Sequence, residues 1–464
     1  MKRSGRVAGA LVGLALIGAG GAGMAGAQEP PPVVGDWAGS LDFAGARLKV
    51  VFHVARTDGG LAATLDSPDQ GAYAIPVSEV RVEGDSVELA VAAVAGGFAG
   101  RYDAGSDAIT GTWSQGGLEL PLALARSSEA PPKRPQEPTT PFPYEAREVT
   151  FDSPAAGIEL AGTLTLPAGD GPHAAVVLVS GSGPQDRDET VFGHRPFLVL
   201  ADHLTRRGIA VLRYDDRGVG ESEGDFAAAT SRDFASDAAA AVYWLAGRPE
   251  IDPDRIGILG HSEGALVAPM VANGDAPVAF VILLAGPGVP GEELLYAQGE
   301  RIVRAGGGSD SLVATERATQ ERLFAVVREE PDSAAARDRL MEILARAGLT
   351  GTSAEAQVRA VTSPWMRFFL DHDPRPDLER LAVPVLALTG GKDTQVPPDL
   401  NLPEQQVALE RSRSQDFTVR ELPGLNHLFQ RAETGSPTEY GKIEETMAPA
   451  ALEAIGDWIL ERTG

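Results

Sequence analysis

Gly260-His261-Ser262-Glu263-Gly264 sets a serine between two glycines, and the runs on either side say how it is held. Ile256 to Leu259 is a short apolar run that reads as a buried strand, and Ala265 to Ala272 reads as a buried helix. Only Gly260 to Gly264 remain to turn the chain, so Ser262 falls at the apex of a strained strand-to-helix corner that pushes its hydroxyl outward. The flanking glycines supply the absent side chains that so tight a corner needs. A hydroxyl presented this way attacks a carbonyl carbon. The same corner sets the backbone N–H of Glu263 at the positive end of a helix, where a developing oxyanion is stabilised. The competing reading makes Ser262 a helix cap. A second match to the pattern, Gly220-Glu221-Ser222-Glu223-Gly224, lacks this context: Ser222 lies several residues beyond the strand Ile209 to Tyr214, in a polar run with no apolar helix behind it.

A serine nucleophile needs a base, and the base needs an acid to orient it. Of the seven histidines, only His427 lies beyond the last expected strand, in Leu422-Pro423-Gly424-Leu425-Asn426-His427-Leu428-Phe429. His261 is expected to point elsewhere around the turn. The acid should end a strand between serine and histidine, and Asp393 does so after Val383 to Thr389. A second oxyanion donor is expected from the loop Ser180-Gly181-Ser182-Gly183-Pro184-Gln185-Asp186-Arg187-Asp188, with the N–H of Ser182 as the candidate and Asp186, Arg187 and Asp188 as a salt-linked anchor.

These residues require a sheet whose strand ends meet. Tyr144 to Gly464 supplies alternating strand and helix patterns: strands at 147–151, 159–166, 174–180, 209–214, 255–259, 279–284, 383–388 and 416–421, and helices at 231–246, 262–273, 403–410 and 443–462. Such alternation predicts a mostly parallel sheet covered on both faces and opened by a hairpin. Residues 286–380 carry only helical patterns, and an insertion between the sixth and seventh strands stands where a helical lid would cover the site. Pro364-Trp365-Met366-Arg367-Phe368-Phe369 is expected to face the site from that lid or to glue it to the core.

Ahead of this unit, residues 33–126 form short alternating runs (47–55, 60–65, 75–82, 87–93, 97–103, 108–113, 118–125) broken by glycine and aspartate, which predicts an all-β antiparallel accessory domain, a lipocalin-like barrel or a sandwich. Residues 127–143, with six prolines, read as a semi-extended linker. Met1 to Ala27 has Lys2, Arg3 and Arg6 before the apolar stretch Val7 to Ile17, and Ala25-Gly26-Ala27 as a cleavage site, the pattern of a secretory signal peptide. Its removal moves the formal charge from -25 to -28, because it takes three cations and no acid. So acidic a surface disfavours nucleic acid and anionic lipid, and fits an exported protein, periplasmic or extracellular, with no stable membrane insertion after cleavage. With no cysteine, disulfides, thiolate chemistry and cysteine-ligated metals are excluded.

Tyr144 to Gly464 resembles the α/β-hydrolase superfamily, and within it exported bacterial esterases grouped with serine aminopeptidase-like and dienelactone hydrolase-like sequences. The resemblance rests on Ser180 to Asp188, Asp216-Arg217-Gly218-Val219-Gly220-Glu221-Ser222, Gly260 to Gly264, Gly286-Pro287-Gly288 and Asn426-His427-Leu428-Phe429. Where such proteins usually have His-Gly before the oxyanion loop and a further glycine after the nucleophile motif, this chain has Ser180 and Ala265. The resemblance implies acyl transfer to Ser262, with His427 as base, Asp393 as its orienting acid and no metal or organic cofactor. Haloalkane dehalogenation, which needs an aspartate at 262, is excluded. The expected substrate is a small carboxylic ester. The alternatives are a short peptide, whose ammonium Glu263 and the acids of the insertion would bind, and a non-catalytic binding protein.

Overall fold

A computed structural model describes residues 33–43, 46–57, 60–68, 72–94, 96–115, 118–127 and 133–464; the expected signal segment 1–27 lies outside them. The first unit is a single antiparallel sheet of β1 (Gly35–Phe43), β2 (Ala46–Thr57), β3 (Gly60–Ser67), β4 (Ala72–Pro76), β5 (Glu79–Glu83), β6 (Ser86–Val91), β7 (Gly96–Asp103), β8 (Ala108–Gln115) and β9 (Leu118–Arg126), ordered β4-β3-β2-β1-β9-β8-β7-β6-β5. Alternate side chains point inward, so Val87, Leu89 and Val91 of β6 are buried while Glu88 between them is exposed. Phe52 of β2 meets Phe98 of β7 at 6.1 Å and Trp113 of β8 at 6.3 Å, contacts that only a curled sheet with one interior permits.

The expected single strand at 75–82 is two strands at opposite edges of this sheet. Pro76 has no N–H to donate to a ladder and ends β4. The next two residues carry the chain across the gap: the N–H of Val77 bonds Ala63 O at 3.0 Å, and that of Ser78 bonds Ala90 O at 2.8 Å.

The second sheet contains β10 (Glu145–Ser153), β11 (Ile158–Leu166), β12 (His173–Val179), β13 (Ala210–Tyr214), β14 (Ile251–His261), β15 (Phe280–Leu284), β16 (Val385–Gly390) and β17 (Phe417–Leu422), ordered β10-β11-β13-β12-β14-β15-β16-β17. β10, β11 and β13 pair antiparallel, and from β13 onward every pairing is parallel. Helices α1 (Pro196–Arg206), α2 (Ser231–Ala246) and α3 (Gly264–Ala272) follow the early strands. Six more stand between β15 and β16: α4 (Gly291–Ala305), α5 (Asp310–Glu329), α6 (Ser333–Arg346), α7 (Gly351–Val361), α8 (Pro364–Asp371) and α9 (Arg375–Arg380). After them come α10 (Pro398–Glu410), the short α11 (Pro437–Tyr440) and α12 (Pro449–Thr463).

Ala175, Val177 and Val179 of β12 face a core shared with α2 and α3, while Val176 and Leu178 face one shared with α1 and α12. Both faces of the sheet are therefore covered. The inserted helices have an apolar centre of their own around Leu323, Val327, Leu340 and Val358. The last helix begins at Pro449, not at Ile443, because Pro449 occupies its first turn, where a missing N–H costs nothing. Among the described residues no helix is long and apolar enough to cross a membrane.

The linker does more than space the two units. Arg134 donates to Gly193 O at 2.8 Å, Ile443 O at 2.9 Å and Gly441 O at 2.9 Å. Gln136 donates to Met447 O at 2.7 Å and accepts from the N–H of Thr446 at 2.6 Å. Tyr73 of β4 lies against Gly441 so closely that a Cβ there would fall 2.3 Å from the ring. A guanidinium spread over backbone carbonyls of two segments is a strong, charge-assisted fastening. Arg134→Ala should therefore free the linker, and limited proteolysis should cut within 127–143 several-fold faster than in the wild type. An unchanged rate would show that something other than this guanidinium holds the segment down.

Candidate functional site

β14 ends at His261 and α3 starts at Gly264, which leaves Ser262 with φ 53°, a left-handed conformation that side chains disfavour. The turn closes only because its neighbours lack side chains. A Cβ on Gly260 would lie 1.9 Å from Gly264 O, and one on Gly264 would lie 2.1 Å from Val179 O. The N–H of Ser262 is bonded to Leu284 O at 2.8 Å, which ties the corner to β15. Ala265 is accommodated by Gly286, whose own Cβ would stand 2.7 Å from the Ala265 methyl. Among the described residues, the Ser262 hydroxyl and the N–H groups of Glu263 and Ser182 have no hydrogen-bond partner.

Asp393 follows β16 in a turn and is buried. Its Oδ1 accepts from the N–H groups of Gln395 and Val396, each at 2.8 Å, and its Oδ2 lies 2.8 Å from His427 Nδ1. A carboxylate held by two backbone donors stays fixed while it orients the imidazole. His427 follows β17 in a loop that Asn426 staples: its Oδ1 accepts from Leu428 N at 3.0 Å and Gln430 N at 2.9 Å, and its Nδ2 donates to Gln430 Oε1 at 2.9 Å. With Nδ1 on Asp393, Nε2 of His427 is left for the cleft. That cleft, of about 90 Å³, brings Ser262, His427 and Ser182 together, with Val191, Phe192 and Leu428 as apolar wall. All five residues named from the sequence are thus assembled around one end of the sheet, Glu263 contributing its backbone.

Two residues that the sequence did not announce lie beneath them. His261 does not point away: its ring is 4.8 Å from that of His427, its Nδ1 is 2.8 Å from Glu189 Oε1, and its Nε2 is 3.0 Å from His427 O. Both partners, the Glu189 carboxylate and the His427 carbonyl, present acceptor oxygens to the ring. Burial opposes a positive charge on it, yet the adjacent Glu189 carboxylate raises the His261 pKa overall. Glu189 Oε1 also accepts from the N–H of Gly181 at 2.7 Å, so the Ser182 loop is joined to the His427 loop through Glu189 and the His261 ring. The signal was the histidine beside the nucleophile; its partner, 72 residues away, was beyond local pattern.

The Ser182 loop is anchored as its charges suggested. Arg187 spans Asp215 at 2.7 Å and Glu221 at 2.8 Å, and Asp188 pairs with Arg213. Ser180 donates to Asp216 Oδ1 at 2.9 Å, and Gln185 N donates to its other oxygen at 3.0 Å. Burial pushes the Asp216 pKa up to about 8 in spite of these donors. Ser222 is spent on structure: it donates to Asp215 O at 2.7 Å and accepts from Ala161 N at 2.9 Å.

The Glu263 carboxyl is not where an ammonium could reach it. It turns beneath the elbow and is buried, accepting from Ser231 Oγ at 2.5 Å and from Trp365 Nε1 of α8 at 2.6 Å. Burial raises its pKa to about 7. The inserted helices are thereby hydrogen-bonded to the residue next to the serine.

A family model described as X-Pro dipeptidyl-peptidase (S15 family) matches residues 156–401, which includes Ser262 and Asp393 and stops short of His427. Esterase EstD of Thermotoga maritima is 28% identical over 323 residues, 69% of this chain and 69% of its own. An uncharacterized protein of Mycobacterium tuberculosis is 35% identical over 152 residues, 28% of this chain and 52% of its own. Among solved structures, the Pyrococcus furiosus esterase Pf2001 is similar at 16% identity with a TM-score of 0.44, covering 73% of this chain and 100% of that one. The α/β hydrolase GrgF of Penicillium is similar at 21% identity with a TM-score of 0.42, covering 69% and 99%.

Two outcomes follow from the buried groups. Glu263, held above its ordinary value near 4.5, keeps its proton longer in the folded than in the unfolded chain, so its contribution to stability is full below that value and is lost as pH rises through about 7. The stability difference between wild type and Glu263→Gln, from urea midpoints, should thus fall between pH 5 and 8; a flat difference would place the carboxyl in water. Glu189→Gln keeps an acceptor but removes the carboxylate that raises the His261 pKa. It should slow labelling of Ser262 by a fluorophosphonate ~10-fold or more, since sub-ångström misplacement of reacting groups costs on that order, whereas an unchanged rate would reduce Glu189 to a loop fastener.

Proposed function

The chain belongs to the X-Pro dipeptidyl-peptidase (S15) family, among the α/β-hydrolases, and from that premise we propose that it is a serine hydrolase cleaving small carboxylic esters through Ser262, His427 and Asp393. The observation that carries this reading is the buried Asp393–His427 bond at 2.8 Å in the same cleft as a serine held at φ 53° with its hydroxyl unpaired. In the reaction, the Ser262 oxygen attacks the ester carbonyl as His427 Nε2 takes its proton, and Asp393 keeps the tautomer and stabilises the imidazolium. The oxyanion is received by the N–H groups of Glu263 and Ser182. His427 returns the proton to the leaving alcohol, and water then hydrolyses the acyl-enzyme by the same steps in reverse.

The preference for esters is supported by the apolar wall of Val191, Phe192 and Leu428 and by the similarity to an enzyme described as an esterase. The family description favours a second reading, a peptidase that releases a dipeptide ending in proline. For that reaction a substrate ammonium needs an acid at the cleft. Glu263 is spent on Ser231 and Trp365, which leaves Glu189, whose Oε2 is buried without a partner at the cleft's edge.

The rest of the molecule fits this reading. The helices from α4 to α9 act as the lid, tied to the elbow through Trp365. The nine-stranded sheet serves as a lipocalin-like accessory unit, residues 1–27 as an export signal, and the mature protein is periplasmic or extracellular. Wild type and Ser262→Ala assayed on p-nitrophenyl esters beside X-Pro-p-nitroanilides decide the matter. Ester turnover that drops ~10⁴-fold or more in the variant is expected. Preferred turnover of the anilides would replace the ester reading with the peptidase one, and turnover indifferent to Ser262 would remove both.

A further inference from the structure

Away from the cleft, the start of α2, the end of α3, the corner between α8 and α9 and the approach to β17 enclose a second cavity of about 660 Å³. Its charged lining is Arg232, Arg380, Arg413 and Asp377, with His372 beside them. Asp377 is engaged by Arg380 and lies 3.6 Å from His372 Nε2. Arg232 and Arg413 have no ion-pair partner among the described residues; Arg232 rests 5.5 Å from the ring of Phe368, on which His372 stacks at 5.0 Å. His372 Nε2 is buried and has no hydrogen-bond partner.

On a chain of formal charge -25 this is a concentration of positive charge against the overall field. Burial lowers the His372 pKa, against the opposing effect of Asp377 and with that of Arg232, and the lasting positive charge is that of the guanidiniums: three against the one carboxylate. The carbonyl end of α3 at Asn273 and Gly274 opposes an anion, but as a partial charge against two whole unpaired ones. Guanidinium forks match the oxygens of a phosphate group, and the volume lies in the range of small-molecule sites, which leaves room for an organic remainder.

We propose that this cavity is a binding site for a small phosphate monoester, gripped by Arg232 and Arg413, separate from the Ser262 cleft. Arg232 directly follows Ser231, whose hydroxyl holds Glu263 beside the nucleophile, so the ligand sits one residue from the support of the elbow.

Titration calorimetry of the full chain with glycerol 2-phosphate and with inorganic phosphate, in low-salt buffer free of other polyvalent anions, tests this. Saturable binding of the ester is expected, weakened ~10-fold or more in Arg232→Ala and in Arg413→Ala, as loss of a charge-assisted contact implies, and unchanged in Arg346→Ala on α6. Circular dichroism checks that the variants are folded; all three side chains are exposed, so the substitutions leave the core alone. Absence of binding, or binding indifferent to both cavity arginines, overturns the site. Binding of inorganic phosphate without the ester overturns the organic ligand class.

Discussion

A single residue held in a conformation that side chains avoid sets the geometry of everything around it. Keeping Ser262 at φ 53° costs about 1–3 kcal/mol, and the cost is sustained because no relaxed alternative fits. Gly260 and Gly264 pass within a bond length or so of neighbouring carbonyls if given a Cβ, and Leu284 O holds the Ser262 N–H from the adjacent strand. From this follow the direction of α3, the open N–H of Glu263 and the exposure of the hydroxyl. The parallel pairing of β12 with β14, which sets Val179 beside Gly260, then brings the Ser182 loop next to the elbow.

Beneath the elbow, three buried acids are handled in three ways, and the difference is a matter of partners. Glu189 faces the His261 imidazole and a backbone N–H, and beside it the His261 pKa is raised against burial. Asp216 receives two neutral donors, and Glu263 receives a hydroxyl and an indole N–H; neutral donors do not offset the loss of water around a carboxylate, so both pKa values are high. The Glu189–His261 pair is the one that joins the loops carrying Ser182 and His427. A charge-assisted contact is the stronger tie, and it stands where two loops from different strands must keep register.

The sheet was legible because its strands, covered on both faces, are continuous apolar runs separated by helical periodicity. Helix α2 has the bounds 231–246 expected of it, and the structure holds its start with a capping box of Thr230 and Asp233 and follows its end with Gly247. The elbow, Asp393 and His427 were legible from chain order and strand ends. What escaped was long-range or sterically local. Pro76 was the available sign that 75–82 is not one strand, but the alternation of apolar residues runs straight through it. α9 has too few residues to show a period. The contacts of His261 with Glu189 and of Arg134 with Gly441 join residues 72 and 307 positions apart, and no spacing rule reaches that far.

Two appended units reach the site by contacts of different physical kinds. The N-terminal unit reaches it through the linker, where the Arg134 guanidinium holds the carbonyl of Gly193 next to Phe192 in the cleft wall, and Phe192 is itself at φ 52°. That contact pairs a permanent charge with a dipole and does not change over the range in which proteins work. The inserted helices act through Trp365 on Glu263, an acceptor whose charge changes near neutrality. Ionised, it is a better acceptor for the indole and a costlier group to bury; protonated, it is a weaker acceptor that burial tolerates. Shape at the wall is thus independent of pH, while the attachment of the helices to the elbow is not, because one carboxyl joins the inserted helices to a turn held at positive φ.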